Sequence, residues 1–143
     1  MTVPAEKRKE GRLAVLVKAL EVANYTNQIL ANKKKFPVEF DDVLGNDIKR
    51  HGQAIYRNCK LANDLRVQKP VTGEIDEEAK EARHRLQTNA LQACTELLID
   101  IDMAYGTYHL PAKRVAYWGK ITREAREYIK KWRAADKKRY DSS

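Results

Sequence analysis

The chain has 143 residues, of which 43% are hydrophobic and 34% are charged, and its formal net charge is +8. This length is typical of a single domain whose core needs no metal or disulfide, and the composition excludes both a disordered chain and a membrane protein. No apolar run approaches the roughly 18 residues that span a membrane, and the polar residues 1–10 are unlike a secretory signal. We therefore expect one domain, residues 1–143, located in the cytoplasm.

The first predicted helix covers residues 13–32 and follows a basic, frayed N-terminus at residues 1–11. Its expected core face recurs every three or four residues and consists of Leu13, Leu16, Val17, Leu20, Ala23 and Leu30. Proline disfavours a helical conformation in the residue before it, so Pro37 places the end of this helix ahead of Phe36.

The second predicted helix covers residues 43–67. At alternating steps of four and three residues it carries a bundle seam, which consists of Ile48, Gly52, Ile55, Cys59 and Ala62. A glycine inside a helix costs about 1 kcal/mol relative to alanine, and we therefore expect another helix to approach closely at Gly52. Cys59 and Cys94 both lie among apolar positions, which predicts two buried, reduced thiols.

A loop at residues 68–75, with Pro70 and Gly73, separates the second helix from the third. Asp76 is the expected N-cap of helix three. The apolar stripe of this helix is the best patterned in the chain and consists of Ala79, Ala82, Leu86, Ala90, Ala93, Leu97, Ile101 and Ala104, widened by Leu98 and Met103. We expect Gly106 and Pro111 to end it.

The fourth predicted helix covers residues 112–138 and runs into a cationic C-terminal tail at residues 133–143. Its apolar side consists of Trp118, Ile121, Ala125, Tyr128, Ile129 and Trp132. Long amphipathic helices joined by short connections favour antiparallel neighbours. The predicted fold is therefore an all-α, antiparallel up-down-up-down four-helix bundle.

Positive charge is concentrated towards the C-terminus. Residues 113–139 contain eleven Lys or Arg and three acidic residues, so this segment accounts for the whole net charge. Six of its cations fall on one side of helix four, away from the apolar side, and these are Lys120, Arg123, Arg126, Lys130, Arg133 and Lys137. Helix two carries a smaller set opposite its seam, which consists of Lys49, Arg50, Arg57 and Lys60. Residues 33–35 add three consecutive lysines.

These cationic sets predict nucleic-acid binding, because a concentrated cationic surface neutralises phosphates and releases counterions. The alternative interpretation is a solvated helix face that binds nothing. No helix-turn-helix, zinc-finger or RNA-recognition motif is present in the sequence. The expected contacts are therefore with the backbone of RNA or DNA rather than with particular bases.

The sequence offers no catalytic constellation. It has no glycine-rich phosphate loop, no Gly-x-Ser-x-Gly, and no cysteine and histidine arrangement at metal-ligand spacing. His51, His84 and His109 are spread over two helices and a loop, and we expect surface or packing roles for them. Asp100 and Asp102 point in different directions on helix three, so we expect both to be solvated or capping residues. We predict no catalytic residue, no metal site, no cofactor and no enzymatic activity.

Several short motifs, taken in order along the chain, resemble one family of four-helix-bundle proteins. They are Phe36-Pro37, residues 44–50 (Leu-Gly-Asn-Asp-Ile-Lys-Arg), Asn58, Ala62-Asn63, Arg85-Leu86, Leu97-Leu98, residues 110–114 and Trp132. The resemblance covers about residues 15–132. The family includes the accessory variability determinant (Avd) of diversity-generating retroelements and the proteins encoded in ribosomal RNA intervening sequences.

The resemblance implies a function that composition does not show. It implies a basic homopentamer that binds RNA or DNA and docks onto a partner reverse transcriptase, assisting the copying of template RNA into cDNA without an active site of its own. The alternative is a structural or interaction protein of the intervening-sequence type, without a polymerase partner. Apolar or aromatic residues at the helix margins, Val17, Tyr56, Leu91 and Tyr105, also favour self-association.

Overall fold

Four long helices make up most of the computed structural model, which describes the backbone of residues 5–141 and the side chains of residues 11–141. They are α1 (Ala5–Ala31), α2 (Asn46–Asp64), α3 (Glu77–Tyr108) and α4 (Ala112–Asp141). α1 and α3 each pack against both α2 and α4. This arrangement confirms the predicted all-α, up-down four-helix bundle. No helix in residues 5–141 is long and apolar enough to cross a membrane.

The link between α1 and α2 is itself partly helical. A 3₁₀ turn at Val38–Phe40 is followed by a π-helical turn at Asp41–Gly45, so regular α-helix starts at residue 46 rather than at the predicted residue 43. Buried Phe36 anchors the link, because its ring and that of Phe40 both contact Tyr108, with centroids 4.6 and 4.8 Å apart.

The link between α2 and α3 folds back on itself. α2 ends at Asp64, before the predicted residue 67, and Gln68 and Ile75 then form an isolated antiparallel β-bridge. Gly73, between them, has a φ of 71°, in the left-handed region that glycine adopts without steric cost. The Asp76 side chain accepts a hydrogen bond of 3.1 Å from a backbone N–H in the first turn of α3, which confirms the predicted N-cap.

The first and last helices, α1 and α4, are longer than predicted. α1 begins at Ala5, so residues 5–11 of the predicted frayed N-terminus are helical, whereas residues 1–4 lie outside the described residues. α4 continues to Asp141, so the predicted cationic tail is helical up to that residue, and its last two residues lie outside the described part.

The predicted end of α3 at Gly106 is wrong. The helix continues to Tyr108, and His109 then takes the left-handed conformation that ends it, with φ 52° and ψ 45°. A glycine within a helix costs only about 1 kcal/mol. Tyr108 is buried against the link between α1 and α2 and donates a hydrogen bond of 3.2 Å to the carbonyl of Phe40. This packing outweighs the cost of the glycine.

The core contains seam residues from all four helices. Every predicted seam residue of α2 is buried, and Ile55, Leu97 and Ile129 are fully buried together in one cluster. Gly52 also lies in close contact with another helix, as predicted, because a β-carbon there would be 2.8 Å from Cγ2 of Thr26. The sequence pattern therefore predicts the seams of α2, of α4 and of α3 from Ala90 onwards. In the first turns of α3 it is wrong, because Ala79, Ala82 and Leu86 are only half-buried there, and Arg83 and Gln87 occupy the buried positions.

The predicted core face of α1 is wrong in part. Leu13, Val17 and Leu20 are 52, 63 and 39% exposed. Among residues 11–31, the buried ones are Val15, Ala19, Val22, Ala23, Thr26, Ile29 and Leu30. α1 thus has two apolar stripes, and the one that faces the core includes the small side chains Ala19, Ala23 and Thr26, which allow neighbouring helices to approach.

Three further positions differ from the sequence prediction. Met103 and Tyr128, both expected in the core, are 48 and 40% exposed, whereas Leu91, expected at a margin, is buried. Tyr128 lies at the edge between α4 and α1, where the Lys18 ammonium is 5.6 Å from its ring centroid. Such a contact lets an aromatic ring pack on one side and remain solvated on the other.

Candidate nucleic-acid interface

Six cationic residues on one side of α4 form what we call the α4 cationic surface. It consists of Lys120, Arg123, Arg126, Lys130, Arg133 and Lys137. Four of these side chains are exposed, and Arg126 and Arg133 are half-buried. At about 1.5 Å of rise per residue, the set extends along roughly 25 Å of helix. The structure thus keeps all six predicted residues together on one surface.

The α4 cationic surface borders α3. Arg133 donates a hydrogen bond of 3.2 Å to the hydroxyl of Thr88 on α3, and Arg126 lies close enough to Cys94 on α3 to oppose the rise in its pKa. The Nε of Arg126 is buried and has no hydrogen-bond partner in the part of the chain that is described. These two arginines therefore fix the surface on the α3 side of α4.

Little of this charge is neutralised within residues 11–141. The one ion pair of the α4 cationic surface there joins Lys130 to Glu127 at 3.7 Å, and both side chains are about half exposed. Exposed ion pairs between neighbouring turns contribute at most about 1 kcal/mol, so Lys130 can exchange its partner for a phosphate at little cost. The surface is available to a polyanion.

The α2 cationic set, Lys49, Arg50, Arg57 and Lys60, lies elsewhere. All four side chains are exposed, but Arg50 pairs with Asp47 at 2.7 Å and Lys60 pairs with Asp64 at 3.3 Å. α2 and α4 occupy diagonal corners, because each packs against α1 and α3. The structure therefore does not join the two predicted cationic sets into one surface.

The three consecutive lysines at residues 33–35 belong to the α2 corner. All three are exposed, and Lys33 pairs with Asp41 at 3.4 Å. Lys33 and Lys49 line the same groove between α1 and α2, which has a volume of about 420 Å³. The groove also contains the Asp41 carboxylate, so its charge is more balanced than that of the α4 cationic surface.

A buried ion pair between α3 and α4 was not predicted. Asp136 accepts hydrogen bonds from Arg83 Nε at 2.5 Å and Nη2 at 3.2 Å, and from the Gln87 amide at 2.7 Å. All three side chains are buried, and the Arg83 guanidinium lies 5.1 Å from the ring centroid of Trp132. Arg83 and Gln87 do continue the four-three repeat of α3 through Ala90, and this signal could have placed them in the core.

His51 and Asp100 form a second polar contact within the bundle. His51 Nδ1 is 2.5 Å from the Asp100 carboxylate, and Nε2 is 2.9 Å from that of Glu96. Asp100 is buried, so the prediction of a solvated or capping role is wrong for it, whereas Asp102 is exposed as expected. Burial raises the pKa of Asp100, and the hydrogen bond from His51 opposes that rise. The cluster ties α2 to α3 and holds the imidazole in one orientation.

The two cysteines are free and buried, as predicted. Burial raises the pKa of both thiols, that of Cys94 to about 12. A thiol is nucleophilic and binds metals as the thiolate, so both side chains are inert at neutral pH.

Side chains that could bind a metal ion are scattered over the described residues. Glu81 and His84 stand at the Glu-x-x-His spacing of di-iron bundles, but both are exposed, and within the described residues no three His, Cys, Asp or Glu side chains are grouped so that they could hold a metal.

Comparison of the chain with protein-family models, with curated proteins and with solved structures gave no match. The four-helix, all-α architecture agrees with the family that the sequence motifs resemble. The architecture alone is shared by many unrelated functions, so the cationic surfaces are the features of this chain that bear on its function.

Proposed function

We propose that this protein is a non-catalytic nucleic-acid-binding protein whose α4 cationic surface contacts the phosphate backbone of RNA or DNA. The observation that carries the proposal is the line of six cations along about 25 Å of one helix, with one weak ion pair among them in the described residues. A surface of this kind attracts polyanions and gains free energy from counterion release. It presents no element that reads base edges in a groove.

The α2 cationic set makes a second and separate contact in this proposal. Its position at the diagonal corner means that one straight strand does not reach both sets. A nucleic acid that contacts both must bend around the bundle or bridge two protein copies. Because Arg50 and Lys60 are already paired with aspartates, we assign the larger share of the binding free energy to α4.

We infer the biological partner from the sequence resemblance. The bound nucleic acid is then the template RNA or cDNA of a diversity-generating retroelement, and the protein partner is a reverse transcriptase that this chain assists. A reverse-transcriptase gene and a template repeat are expected beside the gene for this chain. A neighbourhood inside a ribosomal RNA gene, with no reverse transcriptase, would instead favour the structural protein of the intervening-sequence type.

We also propose that the protein acts as a closed homopentamer. The exposed stripe on α1, Leu13, Val17 and Leu20, supports self-association, because contiguous exposed apolar side chains usually mark an interface. Light scattering at micromolar concentration should give a mass near five subunits. A monomer at that concentration would contradict the assembly and leave the proposed α4 contact unaffected.

Binding is tested by titrating a structured RNA and a single-stranded DNA with the protein across a salt series of about 50 to 400 mM. The logarithm of the association constant should fall linearly with the logarithm of the salt concentration, by about 0.7 per phosphate contact on a single strand. Different base sequences should give similar curves. Failure to bind at the lowest salt, or binding insensitive to salt, would reject the proposed function.

A further inference from the structure

A polar cleft of about 360 Å³ lies between the first turns of α3 and the last turns of α4. Its volume is at the lower end of the range for small-molecule sites, about 300 to 1,000 Å³. Lys137 lines the cleft and also belongs to the α4 cationic surface. A strand that follows the α4 cationic surface towards the C-terminus therefore arrives at this cleft.

The cleft contains a buried acceptor without a donor. Gln87 is fully buried and lines the cleft, and its amide nitrogen donates to Asp136. Its Oε1 has no hydrogen-bond partner within the described residues. Buried polar atoms are nearly always paired in folded proteins, with protein or with water, so this oxygen can accept a hydrogen bond from a water or from a ligand in the cleft. A ligand that replaces this water carries an N–H or O–H group at its inner end.

The outer part of the cleft favours a negatively charged group rather than a hydrogen-bond donor. His84, Arg85 and Lys137 line it and form no ion pair with the side chains of residues 11–141. The exposed carboxylates of Glu81 and Asp141 line the same cleft, but Asp141 pairs with Lys80 at 3.1 Å. Arg85 and Lys137 therefore leave a net positive charge that favours an anionic group at the entrance. The ring of Tyr140, which is half-buried, adds an aromatic surface to the wall. A ligand that matches this cleft has a hydrogen-bond donor at its inner end, a flat ring beside Tyr140 and a negative charge at the entrance. A nucleotide has all three.

We propose that this cleft holds one unpaired base of the bound strand, with its phosphate between Arg85 and Lys137. The base packs against Tyr140, and an N–H of its Watson–Crick edge donates to Gln87 Oε1. Every base carries such an N–H when it is unpaired, so the site tolerates different sequences. In a duplex these edges are already paired, and the site therefore selects single strands. The inference rests on the proposed backbone contact along α4.

The experiment compares two fluorescent probes of equal length, a single strand of oligo-dT and the same deoxyribose-phosphate chain without bases. Binding is followed by fluorescence anisotropy at one salt concentration. The protein should bind oligo-dT about fivefold or more tightly than the abasic chain, since stacking of even one base contributes that much. Tyr140→Leu should bring the ratio close to one while binding of the abasic chain is unchanged.

Tyr128→Leu is the matched control, because Tyr128 lies on the same helix but faces α1. It should preserve the ratio of the parent protein. Tyr140 lies in the last turn of α4, outside the core cluster, so its replacement leaves the fold intact. A ratio near one for the parent, an unchanged ratio for Tyr140→Leu, or an equal loss in Tyr128→Leu would overturn the inference while backbone binding stands. Binding of neither probe would instead reject the proposed function.

Discussion

Gly52 of α2 lies so close to Thr26 of α1 that a β-carbon at position 52 would be 2.8 Å from Cγ2 of the threonine. Thr26 cannot easily move aside, because its hydroxyl accepts a hydrogen bond of 3.0 Å from the buried indole of Trp118 on α4. Thr26 thus joins three helices, because it contacts Gly52 of α2 and Trp118 of α4. The close approach depends on the absence of a side chain at Gly52.

Gly52→Ala should therefore destabilise the protein by about 1 to 3 kcal/mol, the usual cost of overpacking, although alanine is the better helix former. Denaturant unfolding at constant pH measures the change in the free energy of unfolding. Thr26→Ser removes Cγ2 and keeps the hydroxyl, so it should recover part of the loss when added to Gly52→Ala. Strict additivity of the two changes would show that the two residues do not collide.

Leu97→Ala and Leu20→Ala form a matched pair on opposite sides of the core boundary. Leu97 is fully buried, and its truncation should cost about 2 to 5 kcal/mol. Leu20 is 39% exposed and lies outside the core cluster, so the same truncation should cost clearly less, about 1 kcal/mol, in dilute, unassembled protein. Both values come from denaturant unfolding monitored by circular dichroism. Equal costs would place Leu20 in the core after all.

These two leucines show how far periodicity alone can lead. In α2 the apolar residues follow one repeat, so the pattern has a single solution, and all its members are buried. In α1 two apolar stripes run side by side, and the sequence cannot say which of them faces the core. The decision depends on the small side chains, such as Ala19 and Thr26, that let α2 and α4 come close.

Charged residues in the interior were harder to predict. Arg83 and Asp136 are 53 residues apart. The repeat of α3 could have placed Arg83 in the core, but it does not identify the residue on α4 that pairs with it. The six cations of α4 were visible from spacing alone. Their separation from the α2 cationic set was not, because it depends on which helices are neighbours in the bundle.

Removing the buried carboxylate with Asp136→Ala should destabilise the protein by about 3 to 5 kcal/mol, since Arg83 would remain buried without its partner. Asp64→Ala is the control, because Asp64 pairs with Lys60 on the exposed surface of α2. That change should cost at most about 1 kcal/mol. Thermal or denaturant unfolding distinguishes the two, and similar small losses would mean that the Arg83 pair contributes little.

Asp100 should make the protein less stable as the pH rises, which is opposite to the effect of a carboxyl whose pKa is lowered by folding. Its pKa in the folded protein is raised above the ordinary 3.8 by burial, with Asp47 and Glu96 adding to the rise and His51 opposing it. The folded state thus binds the proton more tightly than the unfolded state. The stabilisation is fully present below pH 3.8 and is lost as the pH rises through the folded pKa.

The comparison variant is Asp100→Asn, which does not titrate. The interval from about pH 3.5 to 5.5 begins near the ordinary pKa of aspartate and extends into the range to which burial raises it. The free energy of unfolding of the parent relative to Asp100→Asn should decrease as the pH rises across this interval. A relative increase would mean that the hydrogen bond from His51, and not burial, determines the pKa of Asp100.

The last prediction separates the two cationic corners. Arg123→Gln combined with Lys130→Gln removes two exposed charges from the α4 cationic surface, leaving Arg126 and Arg133 packed against α3. Glutamine keeps the helix propensity and the hydrogen-bonding capacity of the original residues. Affinity for a single-stranded probe should fall, and the salt slope should decrease by about 0.7 for each phosphate contact that is lost.

The matched control is Lys49→Gln combined with Arg57→Gln, which removes two exposed charges from α2 at the diagonal corner of the bundle, neither of them in an ion pair with residues 11–141. Both doubles lower the net charge equally, so a loss caused only by overall charge must affect them alike. We expect the α4 double to lose more affinity and more salt slope than the α2 double, while circular dichroism shows both to be folded. Superimposable binding curves for the parent and the α4 double would show that these side chains are merely solvated, and the phosphate contact would then have to be sought at the α2 corner.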